Sequence, residues 1–155
     1  MPTQYMEKEI RHCAEMVWTT ALGLSLTQKN TKQPITEIKN LRCATQIKGR
    51  WNGWFVITIA PGLTHTASRI FFGESDSAIE NENIKDTLKE LANQIGGNLK
   101  NLVPQPSSID IPVMSFEAGD LKFPHTEPLT RLTYECEGDL VEFQLLEFPE
   151  KNQNN

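Results

Sequence analysis

The chain has fewer positively charged residues than negatively charged ones. Its 15 lysine and arginine residues are outnumbered by 20 aspartate and glutamate residues, so the formal net charge is −5. Nucleic-acid-binding proteins usually carry a strongly basic face. The charge balance therefore disfavours a nucleic-acid binder, although it names no partner.

Long apolar stretches and paired cysteines are missing as well. No segment approaches the ~20 apolar residues that cross a bilayer, and the charged residues at positions 7–9 interrupt any apolar core of a signal peptide. The three cysteines, Cys13, Cys43 and Cys136, are far apart and form no CxxC pair. We expect reduced thiols packed as small hydrophobic groups, no membrane segment and a cytoplasmic location.

Motifs for cofactors are also absent from the sequence. Neither GxxxxGKS/T nor GxGxxG occurs, which argues against nucleotide binding. His65 and His125 have no cysteine, aspartate or glutamate at a metal-ligand spacing. We therefore expect the chain to hold no metal ion and no organic cofactor of its own.

Hydrophobic periodicity predicts two long helices, one short helix and several strands. Apolar residues recur at helical spacing over 3–24 and 83–103, and a shorter helix is expected between a cap at Thr64 or Thr66 and Gly73. Alternating or β-branched runs predict a hairpin over 41–60, turning at Asn52-Gly53, and strands at 109–116, 130–136 and 140–148.

The order of these elements predicts an α+β fold. Hairpins dominate, and helices and strands are only partly interleaved. We therefore expect a mostly antiparallel β-sheet with two long helices packed on one face. Neither an internal repeat nor a linker divides the chain. The prediction is a single domain over residues 1–150, followed by a short flexible tail at 151–155.

The second long helix carries two opposed stripes. The apolar stripe, expected to be buried, consists of Leu88, Leu91, Ala92, Ile95, Leu99 and Leu102. Roughly 180° away by helical geometry runs a polar stripe of Asp86, Glu90, Asn93 and Gly97. The plain interpretation of the polar stripe is a solvated helix face. In that interpretation Asp86 completes a capping box, provided that Asn83 caps the helix.

Two features of the polar stripe favour a function. Gly96 and Gly97 stand inside the helix, where each glycine costs about 1 kcal/mol relative to alanine, and a position without a side chain lets another backbone approach. The amide of Asn93 offers both a donor and an acceptor, so it can orient a water molecule without taking its proton. Hydrolysis of an acyl phosphate needs such a group when the metal ion and the phosphate acceptor come from another protein.

Three motifs occur in order along the chain. They are Gly49-x-Trp51-x-Gly53 before a β-run, Ala67-x-x-Ile70-Phe71-Phe72-Gly73, and Asp86-x-x-x-Glu90-x-x-Asn93 followed by Gly96-Gly97. Together they resemble the CheX/CheC/FliY chemotaxis phosphatases, as a single-motif CheX-like unit over residues 3–148. The family pattern continues to a proline, for which Pro112 is the nearest candidate. It follows Asn93 after 18 residues, a shorter gap than the family's.

The resemblance implies a substrate and a mechanism. The substrate would be a CheY-like receiver domain that carries an aspartyl phosphate and supplies its own Mg²⁺. Asn93 would orient the attacking water, and Glu90 would pair with the receiver's lysine. Contacts with the partner would come from Asp86, Gly97 and Pro112.

Two alternatives to a phosphatase stay open. One is a non-catalytic adaptor that docks a receiver domain or another signalling partner through the same helix. The other is a structural module, related to flagellar switch components, whose polar stripe is only solvated. The resemblance also favours a homodimer, for which an edge strand such as 109–116 or 140–148 could pair across a two-fold axis.

Overall fold

The computed structural model describes residues 3–30, 35, 39–73 and 79–149, with side chains from residue 7 onward. Within these ranges the elements are α1 (Thr3–Leu22), β1 (Thr27–Lys29), β2 (Leu41–Gly49), β3 (Gly53–Ile59), α2 (Pro61–Phe72), α3 (Asn81–Leu99), β4 (Ser107–Ile109), β5 (Val113–Ser115), β6 (Glu127–Cys136) and β7 (Asp139–Glu147). The predicted α+β class is confirmed. The predicted tail at 151–155 lies outside the described residues.

All the strand pairs of the sheet are antiparallel. The strand order is β1-β6-β7-β3-β2-β4, and β5 also pairs with β2. The register aligns Cys43, Ile57, Phe143 and Leu132 in one row, and no side chain of this row is more than 1% exposed. Because β7 lies between β3 and β6, the prediction that 140–148 could serve as an edge strand is wrong.

The helices cover the face of the sheet on which this buried row lies. From α1, Ile10 and Trp18 are fully buried, and the Trp18 ring lies edge-on to Phe143 with centroids 5.9 Å apart. α2 packs against the same core. The predicted apolar stripe of α3 is fully buried from Leu88 to Leu99, whereas Leu102 lies beyond the helix and is half-buried.

Two helices begin earlier than predicted. α2 begins at Pro61, because proline has a helical φ and needs no partner for an N–H at the first helical position. α3 spans Asn81–Leu99 instead of 83–103. Its N-cap is Glu80, whose backbone N–H donates to the Asn83 side chain at 2.9 Å, while the Glu80 side chain accepts from the Asn83 backbone.

The edge of the sheet beside α3 holds two short strands instead of one. β4 pairs Ile109 with Ile47, and β5 pairs Val113 with Ala44. Two residues of β2 therefore face three residues, 110–112, on the edge, which is the count of a β-bulge. Pro112 cannot donate to the ladder, so the predicted strand 109–116 is divided at this point.

α3 lies very close to β2 at Gly96. A Cβ atom at this position would be 2.5 Å from Thr45 Cγ2, nearer than side chains approach one another. Thr45 is fully buried, and its hydroxyl donates to the Asp110 carbonyl at 2.8 Å. A Cβ atom at Gly97 would meet nothing within 4 Å. Of the two glycines, one fits the helix against the sheet and the other faces open space.

The opposite face of the sheet buries a carboxylate. Glu142 is 1% exposed, and it accepts from the Ile35 backbone N–H at 3.3 Å. Arg131 Nε lies 3.7 Å from the same carboxylate oxygen. Burial raises the pKa of Glu142, and the Ile35 N–H, Arg131 and Arg42 oppose that rise only in part.

The two glycines predict opposite effects of the same substitution. Gly96→Ala is expected to lower the free energy of unfolding by about 1–3 kcal/mol, because the new methyl group displaces Thr45. Gly97→Ala is expected to raise it by about 0.5–1 kcal/mol, because alanine restricts the unfolded chain and meets no obstacle. Urea unfolding measures both values. A Gly96→Ala variant as stable as the wild type would contradict the close packing.

The buried carboxylate predicts a pH-dependent stability. Because the pKa of Glu142 is raised on folding, the folded protein binds this proton more tightly than the unfolded chain does. The stability from this group is present below its ordinary pKa of 4.5 and is lost as the pH rises through the raised value. We expect urea unfolding to show that the free energy of unfolding falls less with rising pH in Glu142→Gln than in the wild type. The exposed control Glu117→Gln should show the same fall as the wild type. Parallel pH profiles of wild type and Glu142→Gln would refute the assignment.

Candidate functional site

A cleft of about 490 Å³ separates α3 from the bulged edge of the sheet. One wall is the part of the polar stripe of α3 from Asp86 to Asn93, with Lys89 beside it, and the other is the segment 109–112. The lining residues are Asp86, Lys89, Glu90, Asn93, Ile109, Asp110, Ile111 and Pro112. The structure thus brings together four of the predicted site residues from two separate elements, namely Asp86, Glu90, Asn93 and Pro112.

Glu90 and Asn93 are neighbours on the exposed side of α3, because three residues make almost one helical turn. Gln94 donates to Glu90 Oε1 at 2.9 Å, which leaves Glu90 Oε2 without a hydrogen bond to any described residue. Within the same part of the chain, no hydrogen bond engages the Asn93 amide. A carboxylate oxygen and an amide are therefore both available to a molecule that enters the cleft.

Asp86 lies one turn before Glu90 on the same wall. The interpretation that Asp86 caps the helix is wrong, because the N-cap is Glu80 and Asp86 is six residues further along. Side chains satisfy or stabilise a helix end only within its first turn. Asp86 is exposed and lines the cleft, and among the described residues it has no capping partner.

The opposite wall is held through Asp110. Its backbone N–H donates to the Gln46 carbonyl at 3.0 Å, and its carbonyl accepts from Thr45 Oγ1 at 2.8 Å. Its carboxylate lies 2.6 Å from the Lys48 ammonium. These three contacts join the bulge to β2, and the ion pair compensates the charge of Asp110. Pro112 lines the cleft but is itself buried.

Sequence reasoning misses four residues of the cleft, namely Lys89, Ile109, Asp110 and Ile111. Lys89 belongs to neither stripe of α3, yet it is half-buried at the cleft and forms no ion pair with a described residue. Asp110 and Ile111 reach the cleft only because strands pair with β2 on both sides of them. The available signal is Pro112 inside a strand pattern, which indicates a bulge without showing what the bulge faces.

Gly97 is the predicted site residue that does not line the cleft. It lies one turn beyond Asn93 on α3, with open space where a side chain would be. Another backbone could approach the helix at this point, so the contact predicted for Gly97 stays a prediction.

Neither a metal centre nor a membrane span is found in the described part of the chain. There, no group of three or more histidine, cysteine, aspartate or glutamate residues could hold a metal ion. None of the helices in these ranges combines the length and the hydrophobicity that crossing a bilayer requires. The cysteines Cys13, Cys43 and Cys136 are free and buried, as predicted.

The family model described as "Chemotaxis phosphatase CheX" matches residues 41–136, which is more than half of the chain. The chain belongs to the CheX family. The matched region runs from the start of β2 to the end of β6, so it contains both walls of the cleft. The predicted family is confirmed. Among curated proteins, no sequence matches this one.

Solved structures of chemotaxis proteins share the fold. CheX from Vibrio vulnificus has a TM-score of 0.76 at 16% identity, covering 95% of this chain and 99% of that one. The CheX-CheY-BeF3-Mg²⁺ complex from Borrelia burgdorferi has a TM-score of 0.69 at 14% identity, covering 90% of this chain and 96% of that one. FliY from Thermotoga maritima has a TM-score of 0.58 at 15% identity, covering 92% of this chain and 90% of that one. At these identities the likeness establishes the fold.

Proposed function

We propose that this CheX-family protein hydrolyses the aspartyl phosphate of a CheY-like response regulator. The observation that carries the proposal is the pair of available groups, on Glu90 and Asn93, in the cleft of a chemotaxis phosphatase fold. The Borrelia burgdorferi relative is a complex of CheX with CheY, BeF3 and Mg²⁺. That complex supports a receiver domain as the partner of the cleft.

Asn93 orients the water that attacks the phosphorus atom. As the new bond from water oxygen to phosphorus forms, the bond from phosphorus to the receiver's aspartate oxygen breaks. The products are inorganic phosphate and the free carboxylate of the receiver. The water's protons pass to phosphate and solvent, because an amide is not a base. Positioning is the main requirement in phosphoryl transfer, so the reaction needs no general base from this chain.

Glu90 anchors α3 to the receiver. Gln94 holds one carboxylate oxygen, so the other oxygen can pair with the receiver's lysine near the phosphate. Such a charge-assisted hydrogen bond is short and directional. Because Asn93 lies less than one turn further along the same rigid helix, this pair also sets the distance from its amide to the phosphate.

The other groups of the cleft adapt it to a partner that brings its own cations. Asp86 and Glu90 repel a phosphoryl group, and Lys89 offsets one of these charges. The receiver's Mg²⁺ and lysine supply the remaining positive charge, so this chain needs no metal ion of its own. Asp86 and Gly97 contact the partner along the helix, and the buried Pro112 shapes the opposite wall.

We further propose a homodimer in the cytoplasm. The free thiols and the receiver partner support that location. The edge formed by 109–116 is interrupted by the bulge and adjoins the cleft. At the other edge, in the described residues, β1 covers only Thr133–Glu135 of β6. We therefore propose that a second copy pairs along the rest of the β6 edge.

Asn93→Ala tests the catalytic proposal directly. We expect the variant to lose about 100-fold in kcat, because the water is no longer oriented. Its affinity for the receiver should change little, since Glu90 is intact. The control is Asn98→Ala, an exposed asparagine of the same helix whose amide donates to the Gln94 carbonyl at 2.8 Å. Phosphate release from a phosphorylated receiver is measured, and full turnover by Asn93→Ala would sink the proposal.

Glu90→Lys separates the phosphatase from its two alternatives. We expect receiver affinity to fall by about 30-fold, because two ammonium groups would meet where an ion pair formed. Glu82→Lys is the charge-matched control, since this exposed residue lies in the first turn of α3, outside the cleft. A docking adaptor would lose binding in Glu90→Lys but show no turnover even as wild type. For a structural module, neither binding nor turnover would respond to the substitution.

A further inference from the structure

Ile111 is far more exposed than any other large hydrophobic side chain of the described chain. It is 83% exposed, whereas the next, Met16, is 46% exposed. A single exposed apolar side chain is ordinary on a protein surface. Ile111 differs because it lines the cleft that contains Glu90 and Asn93.

The bulge explains why this side chain points outward. Three edge residues, 110–112, face two residues of β2, so one edge residue has no place in the ladder. Asp110 is bound to β2 through both its backbone groups, and the ring of Pro112 is buried and fixes its own φ. Ile111 is the residue between them, so it is held outward on a constrained backbone.

We infer that Ile111 is the apolar anchor by which the receiver domain docks beside its phosphorylated aspartate. This inference rests on the proposed function, because the receiver is the partner that the cleft is proposed to bind. The partner surface has two parts. A lysine and the phosphoryl group face Glu90 and Asn93, and an apolar patch at their side covers Ile111.

The constrained backbone makes Ile111 suitable as an anchor. Ordering a flexible loop on binding costs conformational entropy, and the contacts of Asp110 with β2 have already removed most of that cost. Burial of an isoleucine that is exposed in the free protein then contributes directly to affinity. Because Ile111 is 83% exposed, its replacement is expected to affect binding more than folding.

A receiver fits Ile111 better than a second copy of this chain does. The segment 110–112 cannot template an intermolecular strand, because Pro112 lacks an N–H and the Asp110 N–H already donates to Gln46. A partner that reaches Glu90 and Asn93 must also pass Ile111, which lines the same cleft. The apolar docking contact is thus assigned to the wall opposite Glu90 and Asn93.

The test is Ile111→Ser, with Ile70→Ser as the matched control. Ile70 is 41% exposed on α2 and lies outside the cleft. CheY-like receiver domains from the same genome, activated with BeF3 and Mg²⁺, serve as the binding probe in titration calorimetry. We expect Ile111→Ser to weaken binding about 10-fold or more, with Ile111→Val retaining most of the affinity. The KM for phosphorylated receiver should rise by a similar factor in Ile111→Ser, whereas Ile70→Ser should keep the wild-type value.

The outcomes distinguish this inference from the proposed function. If the wild type binds the receiver through Ile111 but releases no phosphate, the proposed function fails and the anchor stands. If turnover depends on Asn93 while Ile111→Ser binds as tightly as the wild type, the anchor is overturned and the function stands. If Ile111→Ser lowers self-association in analytical ultracentrifugation but leaves receiver binding unchanged, Ile111 contacts a second copy of the chain and the inference is overturned. Absence of receiver binding by the wild type overturns both.

Discussion

One buried threonine sets the distance between the two walls of the cleft. The Thr45 methyl group faces the bare backbone of Gly96 on α3, and its hydroxyl holds the Asp110 carbonyl of the bulge. β2 thus positions both the helix that carries the polar groups and the edge that carries the apolar group. Because Thr45 is fully buried and β-branched side chains have few rotamers, this spacing has little freedom to vary. The geometry of the surface site is therefore determined inside the core.

The two walls contribute different kinds of interaction. In the proposed function, the charges and the amide of the helix wall discriminate among partners and align the reacting groups. The bulge wall compensates its own charge through Lys48 and presents an apolar side chain, and such a contact mainly prolongs a complex once it has formed. A transient enzyme–protein encounter needs both properties. Separation of the two walls allows each to be tuned without disturbing the other.

The sequence was informative where periodicity alone determines structure. The stripe from Leu88 to Leu99 has the spacing of a helix packed on one side, so its burial and the exposure of Glu90 and Asn93 could be predicted. The strand β1 (Thr27–Lys29) could not be predicted, because its three residues are all exposed and show no alternation. It is a strand because it pairs with β6, which is distant in the sequence. The start of β6 at Glu127 was hidden for a similar reason, since Pro128 is typical of a loop.

The cleft itself required information that no local pattern contains. Asp110 and Ile111 become its wall because β4 and β5 pair with separate parts of β2, and register over such a distance depends on the whole sheet. The alternative interpretation of Asp86 as a capping residue is wrong because two residues, Glu80 and Asn83, can each begin a helix. Only the reciprocal hydrogen bonds between them decide where α3 starts.

The exposure of Glu90 and Asn93 has an evolutionary consequence. Neither side chain contributes to the hydrophobic core, so replacing them removes almost no folding free energy. With the roles proposed for Glu90 and Asn93, a lineage with this fold can lose or regain the chemistry through substitutions at these two exposed positions. Shape and activity are therefore inherited separately in such a protein, and the presence of one is no guarantee of the other.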